Sequence, residues 1–308
     1  MKRFLIKIAL FGIIILLSVF CVFYQADGWS DPFYKRFTSP KQNSLILGSS
    51  RVSLGIVPSV INNEIPGTAS YNYAFTYNTS PYGPVYLESI KRKLDTLQNG
   101  QLFILGVDPW VLSSDNQNPN DLAGFTESNE FLGTLQSVNS KPNFSYLLNH
   151  YSEPYIKILY NRSPRVVEDD GFLKMTLTLT QEQRLQKRQQ NILDYAKKRQ
   201  DFALSSLRLS YLNKTVNFLE TYGDVYLVRL PIDGELLQIE NDLAPNFDRV
   251  MTNLALEQNI SYFDFSKEGQ HYNFIDAHHL TLDSAKKLSL KLAAKIKGSA
   301  PFNESNIQ

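Results

Sequence analysis

Two short clusters, near opposite ends of the chain, carry the residue types used in acyl transfer. The first is the run SLILGSSR, residues 44–51, in which four residues of an apolar strand pass into Gly48, two serines and Arg51. The second lies in FIDAHHLTLDSAKKLSLKL, residues 274–292, which places Asp276, His278 and His279 just before a helical pattern. A serine hydroxyl becomes a nucleophile only when a base removes its proton and a third group orients that base. Asp276 and His279 are three residues apart, close enough in a turn for the carboxylate to hold one ring nitrogen while the other faces a substrate. Of the chain's four histidines, His150, His271, His278 and His279, three fall within nine positions of this second cluster.

Each cluster also has a plainer explanation. Hydroxyls at a strand end often bond local backbone, and Ser50 without a distant Asp-His motif would be read that way. With that motif, a triad of Ser50, His279 and Asp276 is the expectation. Ser49 is one residue earlier on the strand, so its side chain should point to the opposite side. His278 is expected to neighbour the base and touch substrate rather than serve as the base itself. The spacing of His271, Asp276, His278 and His279 matches no zinc signature, and no metal is expected. Arg51 and Arg229 have the chemistry to bind a carboxylate or an anionic sugar polymer, and equally to pair with acidic side chains. Asp108, before Pro109, is placed either to brace that turn or to touch substrate.

These residues need a scaffold that brings them together. Short apolar runs at 44–47, 69–73, 102–107, 225–230 and 262–265 read as strands buried on both faces. Helical patterns at 84–97, 181–221, 244–258 and 282–296 alternate with them, as in a parallel sheet covered by helices. In the last, Leu288, Leu292 and Ile296 repeat at i, i+4 and i+8, giving one face to pack on the sheet. Residues 109–180 break the alternation. Their many aromatics argue against disorder, and they are read as an inserted cap near the strand ends or as a small helical subdomain. The Lys/Arg-rich run from Arg184 to Arg199 reads as a solvated helix face.

The chain has 308 residues, 43% hydrophobic and 20% charged, with 31 basic and 30 acidic side chains. That balance suits a folded core, and a net charge of +1 supplies no field for a nucleic-acid partner. Residues 4–24 are apolar except for Lys7, long enough to cross a bilayer as a helix. Lys2, Arg3 and Lys7 put the N-terminus on the cytoplasmic side and the rest beyond the membrane. An uncleaved anchor is preferred to a signal peptide, because the apolar run is long and Tyr24-Gln25-Ala26 is a poor cleavage site. Cys21, the single cysteine, lies in this run, so no disulfide forms within the chain. The organisation expected is an anchor over 1–25, a stalk over 26–43, an α/β domain over 44–298 with the insertion at 109–180, and a frayed tail over 299–308.

Strand, Gly-x-Ser, parallel sheet, Asp-x-x-His and a final helix together resemble the SGNH, or GDSL-like, hydrolase superfamily. The membrane-anchored branch, which includes the D-alanine transfer protein of teichoic acid synthesis and alginate acetylation proteins, is the most similar. The resemblance implies a flavodoxin-like three-layer α/β fold, with Ser50 as nucleophile, His279 as base and Asp276 as its orienting partner. In the family, a glycine after the second strand and an asparagine after the third join the serine amide in stabilising the oxyanion. Here no glycine promptly follows the second strand, where SYNYAFTYNTSPYG offers Asn72 and Asn78. Asp108 stands at the asparagine position, and an ionised carboxylate cannot donate. Either Asn72 assists the Ser50 amide or the site works with fewer donors. The implied activity is that of an esterase or O-acyltransferase on acyl esters of a bacterial envelope polysaccharide, without cofactor, and it leaves room for a membrane-bound acyltransferase as partner. The alternative is an inactive carbohydrate-binding or assembly subunit on the same fold.

Overall fold

Alternating side chains assign the two faces of the central sheet. In the computed structural model, which describes residues 1–136, 139–160, 163–177 and 179–299, β1 (Ser44–Leu47) sends Leu45 and Leu47 to one core and Ile46 to another. β3 (Gln101–Gly106) divides Phe103 and Leu105 from Leu102 and Ile104 in the same way. β8 (Gly223–Arg229) divides Val225 and Leu227 from Tyr226 and Val228. A strand apolar on both faces must be covered on both. α3 (Ser50–Gly55), α4 (Pro58–Glu64) and α13 (Leu282–Ser299) cover one face, through Val52, Ile61, Leu288, Leu292 and Ile296. α5 (Pro84–Lys93), α10 (Ser206–Glu220) and α12 (Phe247–Glu257) cover the other.

With β2 (Ser70–Asn72) and β9 (Ser261–Asp264), the sheet has five parallel strands in the order β2-β1-β3-β8-β9. Counting only these five along the chain, the order is 2-1-3-4-5, a doubly wound sheet that reverses direction between its first and third members. Crevices for ligands open at the carboxyl ends of strands at such a point, and here β1 and β3 run into Gly48 and Asp108.

The expected strands are present, the first with its ends as read and the others with ends moved by one or two residues, and the helical stretch at 181–221 is two helices. α9 (Gln181–Lys198) begins in a capping box made by Thr180 and Gln183. It is separated from α10 by β7 (Ala203–Leu204), which pairs with β4 (Ser113–Ser114). α11 (Gly234–Leu243), started by the Asp233 side chain, and the short α3 and α4 are additions to the elements read from sequence. Six or seven residues are too few to display a helical period.

α1 (Lys2–Tyr24) is long and apolar enough to span a membrane. Residues 26–43, read as a stalk, are folded onto the domain: in α2 (Tyr34–Thr38), Tyr34, Arg36 and Phe37 are all buried. Arg36 donates from Nη1 to the Ala74 carbonyl, and Lys93 donates to the Phe37 and Ser39 carbonyls at 2.8 and 2.6 Å. Aromatics explain this attachment, because Phe37, Phe75, Phe131 and Tyr146 form one cluster of edge and tilted contacts. Part of the inserted region thus packs on the segment that follows α1, through α6 (Phe131–Thr134), α7 (Phe144–Asn149) and α8 (Ile156–Leu159). Its hairpin of β5 (Arg165–Val167) and β6 (Leu173–Met175) lies against Leu54 of α3. The expected tail beyond Ser299 lies outside the described residues.

Candidate active site

The turn after β1 determines where the serines go. Gly48 has φ +139°, and a Cβ there would lie 2.7 Å from Val52 Cγ2 and 3.1 Å from the Gly106 carbonyl oxygen. Glycine is needed on both counts. The turn is held by Tyr86, whose hydroxyl accepts from the Gly48 amide at 3.1 Å, and by Ser80, whose hydroxyl donates to the Gly48 carbonyl at 2.8 Å. Ser49 is the residue before α3, and its carbonyl accepts from the Val52 and Ser53 amides. Ser50 is thereby the first helical residue, where backbone amides have no partner within the helix.

The Asp-His cluster is presented by an equally constrained loop. The Ile275 amide donates to the His279 carbonyl at 2.8 Å, closing the loop across its base. Ala277, at the tip, has φ +96°, and its carbonyl accepts from the Asp233 amide at 3.1 Å. Asn191 of α9 donates from Nδ2 to the Asp276 carbonyl at 2.9 Å.

These two constructions bring Ser50 and His279 together, with 2.9 Å between Ser50 Oγ and His279 Nε2. On the other side of the ring, His279 Nδ1 is 2.7 Å from Asp276 Oδ2. An ionised carboxylate can only accept, so Nδ1 carries the proton and Nε2 is free to accept from the serine hydroxyl. Asp276 Oδ1 also accepts from the His279 amide at 3.0 Å and the His278 amide at 3.3 Å. Burial pushes the Asp276 carboxyl up, but the His279 hydrogen bond and the two neighbouring imidazoles outweigh it and hold the group far below the usual carboxylate range. Three groups in hydrogen-bond sequence, with an anion at the far end, can move the hydroxyl proton to the imidazole and stabilise the imidazolium that results.

His278 sits behind this line. Its ring is 3.9 Å from that of His279 and 5.1 Å from Tyr195, it is buried, and its Nδ1 has no hydrogen-bond partner among the described residues. Burial, then the neighbouring His279, drives its pKa well below the ordinary histidine value. A neutral ring packed in this way backs that of His279. Asp276, His278 and His279 also offer ligand atoms within 4.8 Å of one another, but His279 Nδ1 is the atom already bonded to Asp276. His271 is exposed beside Gln270.

Four expected binding residues have other partners. Asn72 is fully buried, and its Nδ2 donates to the Val52 and Ile56 carbonyls at 3.0 and 3.1 Å. Both amide hydrogens are thus committed to holding α3, so Asn72 is corrected from oxyanion donor to support of the helix that Ser50 begins. The exposed Asn78 has no such tie to α3. Asp108 Oδ1 accepts from the Trp110 and Val111 amides at 2.9 and 3.1 Å, which makes it a turn cap. Its Oδ2 accepts from Ser49 Oγ at 3.4 Å. Arg51 and Arg229, both buried, converge on Glu240 with N to O distances of 2.5 and 2.8 Å. Arg229 also meets Asp248 at 2.6 Å. Burial pushes the Glu240 carboxyl up, but the two guanidiniums override it and leave its pKa lowered. These arginines are internal counterions, so of the two expectations it is the pairing with acidic side chains, and not substrate binding, that the contacts bear out.

The inner face of α9 is the part that composition concealed. Arg188, Asn191, Tyr195 and Lys198 recur three or four residues apart, so they share one side of the helix. Arg188 grips Asp233 with two bonds of 2.9 Å, Tyr195 packs on His278 and Trp110, and Lys198 donates to the Tyr77 hydroxyl at 2.8 Å. A tyrosine recurring in helical register with polar residues, within a basic run, was the available signal. Comparison with protein-family models, with curated proteins and with solved structures finds no match to this chain.

Proposed function

We propose that the protein is a membrane-anchored serine esterase or O-acyltransferase of the SGNH type, acting on acyl esters of a cell-envelope polysaccharide. The observation that carries this reading is the continuous hydrogen-bonded line from Ser50 Oγ through His279 to Asp276. In the reaction, Ser50 Oγ attacks the acyl carbonyl as His279 Nε2 takes its proton, and Asp276 stabilises the imidazolium. The Ser50 amide donates to the oxyanion. His279 then gives the proton to the departing alkoxide, leaving an acyl group on Ser50. Water or a sugar hydroxyl, deprotonated by the same histidine, attacks that ester and frees the serine. The apolar α1 supports action beside a membrane, with the N-terminus cytoplasmic and the folded domain outside.

The test uses the full chain in detergent, with p-nitrophenyl acetate as substrate and a fluorophosphonate probe as label. Esterase turnover and labelling, both abolished by Ser50→Ala, are expected. Labelling that survives Ser50→Ala removes Ser50 as nucleophile, and activity stripped by a chelator transfers the role to a metal held by Asp276, His278 and His279.

One observation favours a second reading, a binding or assembly subunit without turnover. Asn72 and Asp108 are both committed to the scaffold, which leaves the Ser50 amide as the identified oxyanion donor. An unlabelled, inactive protein that still retains polysaccharide would support it.

A further inference from the structure

Outside α1, six of the large apolar side chains exposed among the described residues fall within one stretch of seventeen positions: Phe144, Leu148, Tyr155, Ile156, Leu159 and Tyr160. They belong to α7, α8 and the flanks of α8. Both helices are two-sided, because Tyr146, Leu147 and Ile158 are buried in the domain while Leu148 and Ile156 are 64% and 57% exposed. Apolar patches of this kind mark a contact surface.

The face is continuous with α1. The Phe144 ring lies 6.1 Å from Phe20 and 5.8 Å from Phe23, and Tyr155 lies 5.3 Å from Phe23. The helix it joins packs on the domain at its C-terminal end through Phe23 and is bare before it: its most apolar window has none of its residues buried in the protein. Whatever apolar medium surrounds α1 therefore reaches α7 and α8 without a break. The junction carries the residues of a membrane boundary. Tyr24 and Trp29 are exposed there, and the Lys141 ammonium stands 5.7 Å from the centre of the Tyr24 ring. Amphipathic aromatics and long basic side chains collect where acyl chains meet headgroups.

We infer that the exposed face of α7 and α8 lies in the outer interfacial layer of the bilayer that α1 crosses, so that the domain is held at two places rather than by a flexible tether. The inference rests on α1 being a membrane span. It has a consequence for the candidate site, because the same juxtamembrane segment reaches the nucleophile turn in two steps. Arg36 donates to the Ala74 carbonyl, and the next amide, that of Phe75, donates to the Gly48 carbonyl at 3.2 Å. A domain seated on the surface presents Ser50 at a fixed orientation, suited to an acyl donor or polymer that is itself held at the membrane.

The full chain tests this. With Cys21→Ser, single cysteines are introduced as Leu148→Cys, Ile156→Cys and Leu159→Cys. The controls are Leu97→Cys and Leu256→Cys, at leucines 91% and 74% exposed elsewhere. Each is labelled with an environment-sensitive fluorophore and reconstituted into phosphatidylethanolamine/phosphatidylglycerol vesicles containing lipids spin-labelled at shallow or deep positions. Vesicle flotation checks the span. Several-fold stronger quenching by shallow spin labels at 148, 156 and 159 than at 97 and 256 is the expected result. Flotation with equal, weak quenching at all five positions overturns the interfacial seat while leaving the anchor intact. A blue shift at 148, 156 and 159 without lipid quenching assigns the face to a protein partner and also overturns it. Failure to float with the vesicles removes the span on which the inference stands.

Discussion

Ser50 Oγ and His279 Nε2 are 2.9 Å apart although 229 positions separate them in the chain. Each is held from its own side, Ser50 at the start of a helix pinned by Asn72 and His279 in a loop tied to α9 and to Asp233. The contact joins two independently supported turns, and the consequences of disturbing either turn, or the anion behind them, are specific.

Asp276→Asn keeps an oxygen for the His278 and His279 amides but lets the imidazole adopt the wrong tautomer. A fall in kcat of about 10^4-fold is expected, the size seen when a triad loses its anion, with little change in KM. Steady-state kinetics on p-nitrophenyl acetate gives both numbers. The same substitution alters acid stability. Because the folded-state pKa of Asp276 lies below its unfolded value, its ionisation stabilises the fold above about pH 4 and that contribution is lost as pH falls through the folded value. The variant should therefore lose less stability than the parent between neutral pH and strong acid, measured by denaturant melts.

Gly48→Ala forces a side chain into φ +139° and against Val52. A loss of about 1–3 kcal/mol is expected from the backbone conformation alone. Since Val52 is in the first turns of the same helix as Ser50, fluorophosphonate labelling should slow more than the fraction of folded protein explains. Equal rates per folded molecule would show that the turn does not position the serine.

Arg51→Met leaves Glu240 buried with Arg229 as its remaining partner. Removing one member of a buried ion pair costs about 3–5 kcal/mol, and the variant should melt earlier. KM for a neutral ester and for an anionic one should change alike. If Arg51 were a substrate ligand, the anionic ester would lose affinity selectively and the melting temperature would hold.

Lys93 is expected to make stability depend on pH between neutral and alkaline conditions. Burial lowers its pKa to about 7 from 10.5, so between those values the unfolded chain binds the proton that the folded chain lacks. Stability then rises with pH across that window, and below about pH 7 the burial penalty is fully present. A tenfold difference in proton affinity between the folded and unfolded chain corresponds to about 1.4 kcal/mol. Lys93→Met should flatten the rise between pH 7 and 10.5 in thermal melts of the full chain, and a parallel pH profile would show that another group is responsible.

Much of the scaffold was legible along the chain because strands buried on both faces must be apolar throughout, as SLIL and QLFILG are, and because the last helix repeats its apolar positions every turn. The line from serine to aspartate was legible as residue types at two chain positions, and nothing local measured the distance between them. Composition gave only the solvated face where one helix served two environments. α9 reads as a solvated basic helix, yet one side supports the Asp276 loop. A basic composition records the outward side chains and does not say that Asn191 and Tyr195 share the opposite face.

The sequence by itself determined the apolar α1, the alternation of strands and helices, and the chemical identities of Ser50, Asp276 and His279, since each is written in local composition or period. Only the tertiary structure decided that Arg51 and Arg229 pair with Glu240, that Asp108 caps the turn before Trp110, that Asn72 holds a helix, and that residues 26–43 fold onto the domain. Those outcomes depend on which groups meet across the fold, and a buried charge or amide is claimed by whichever partner packing brings within about 3 Å.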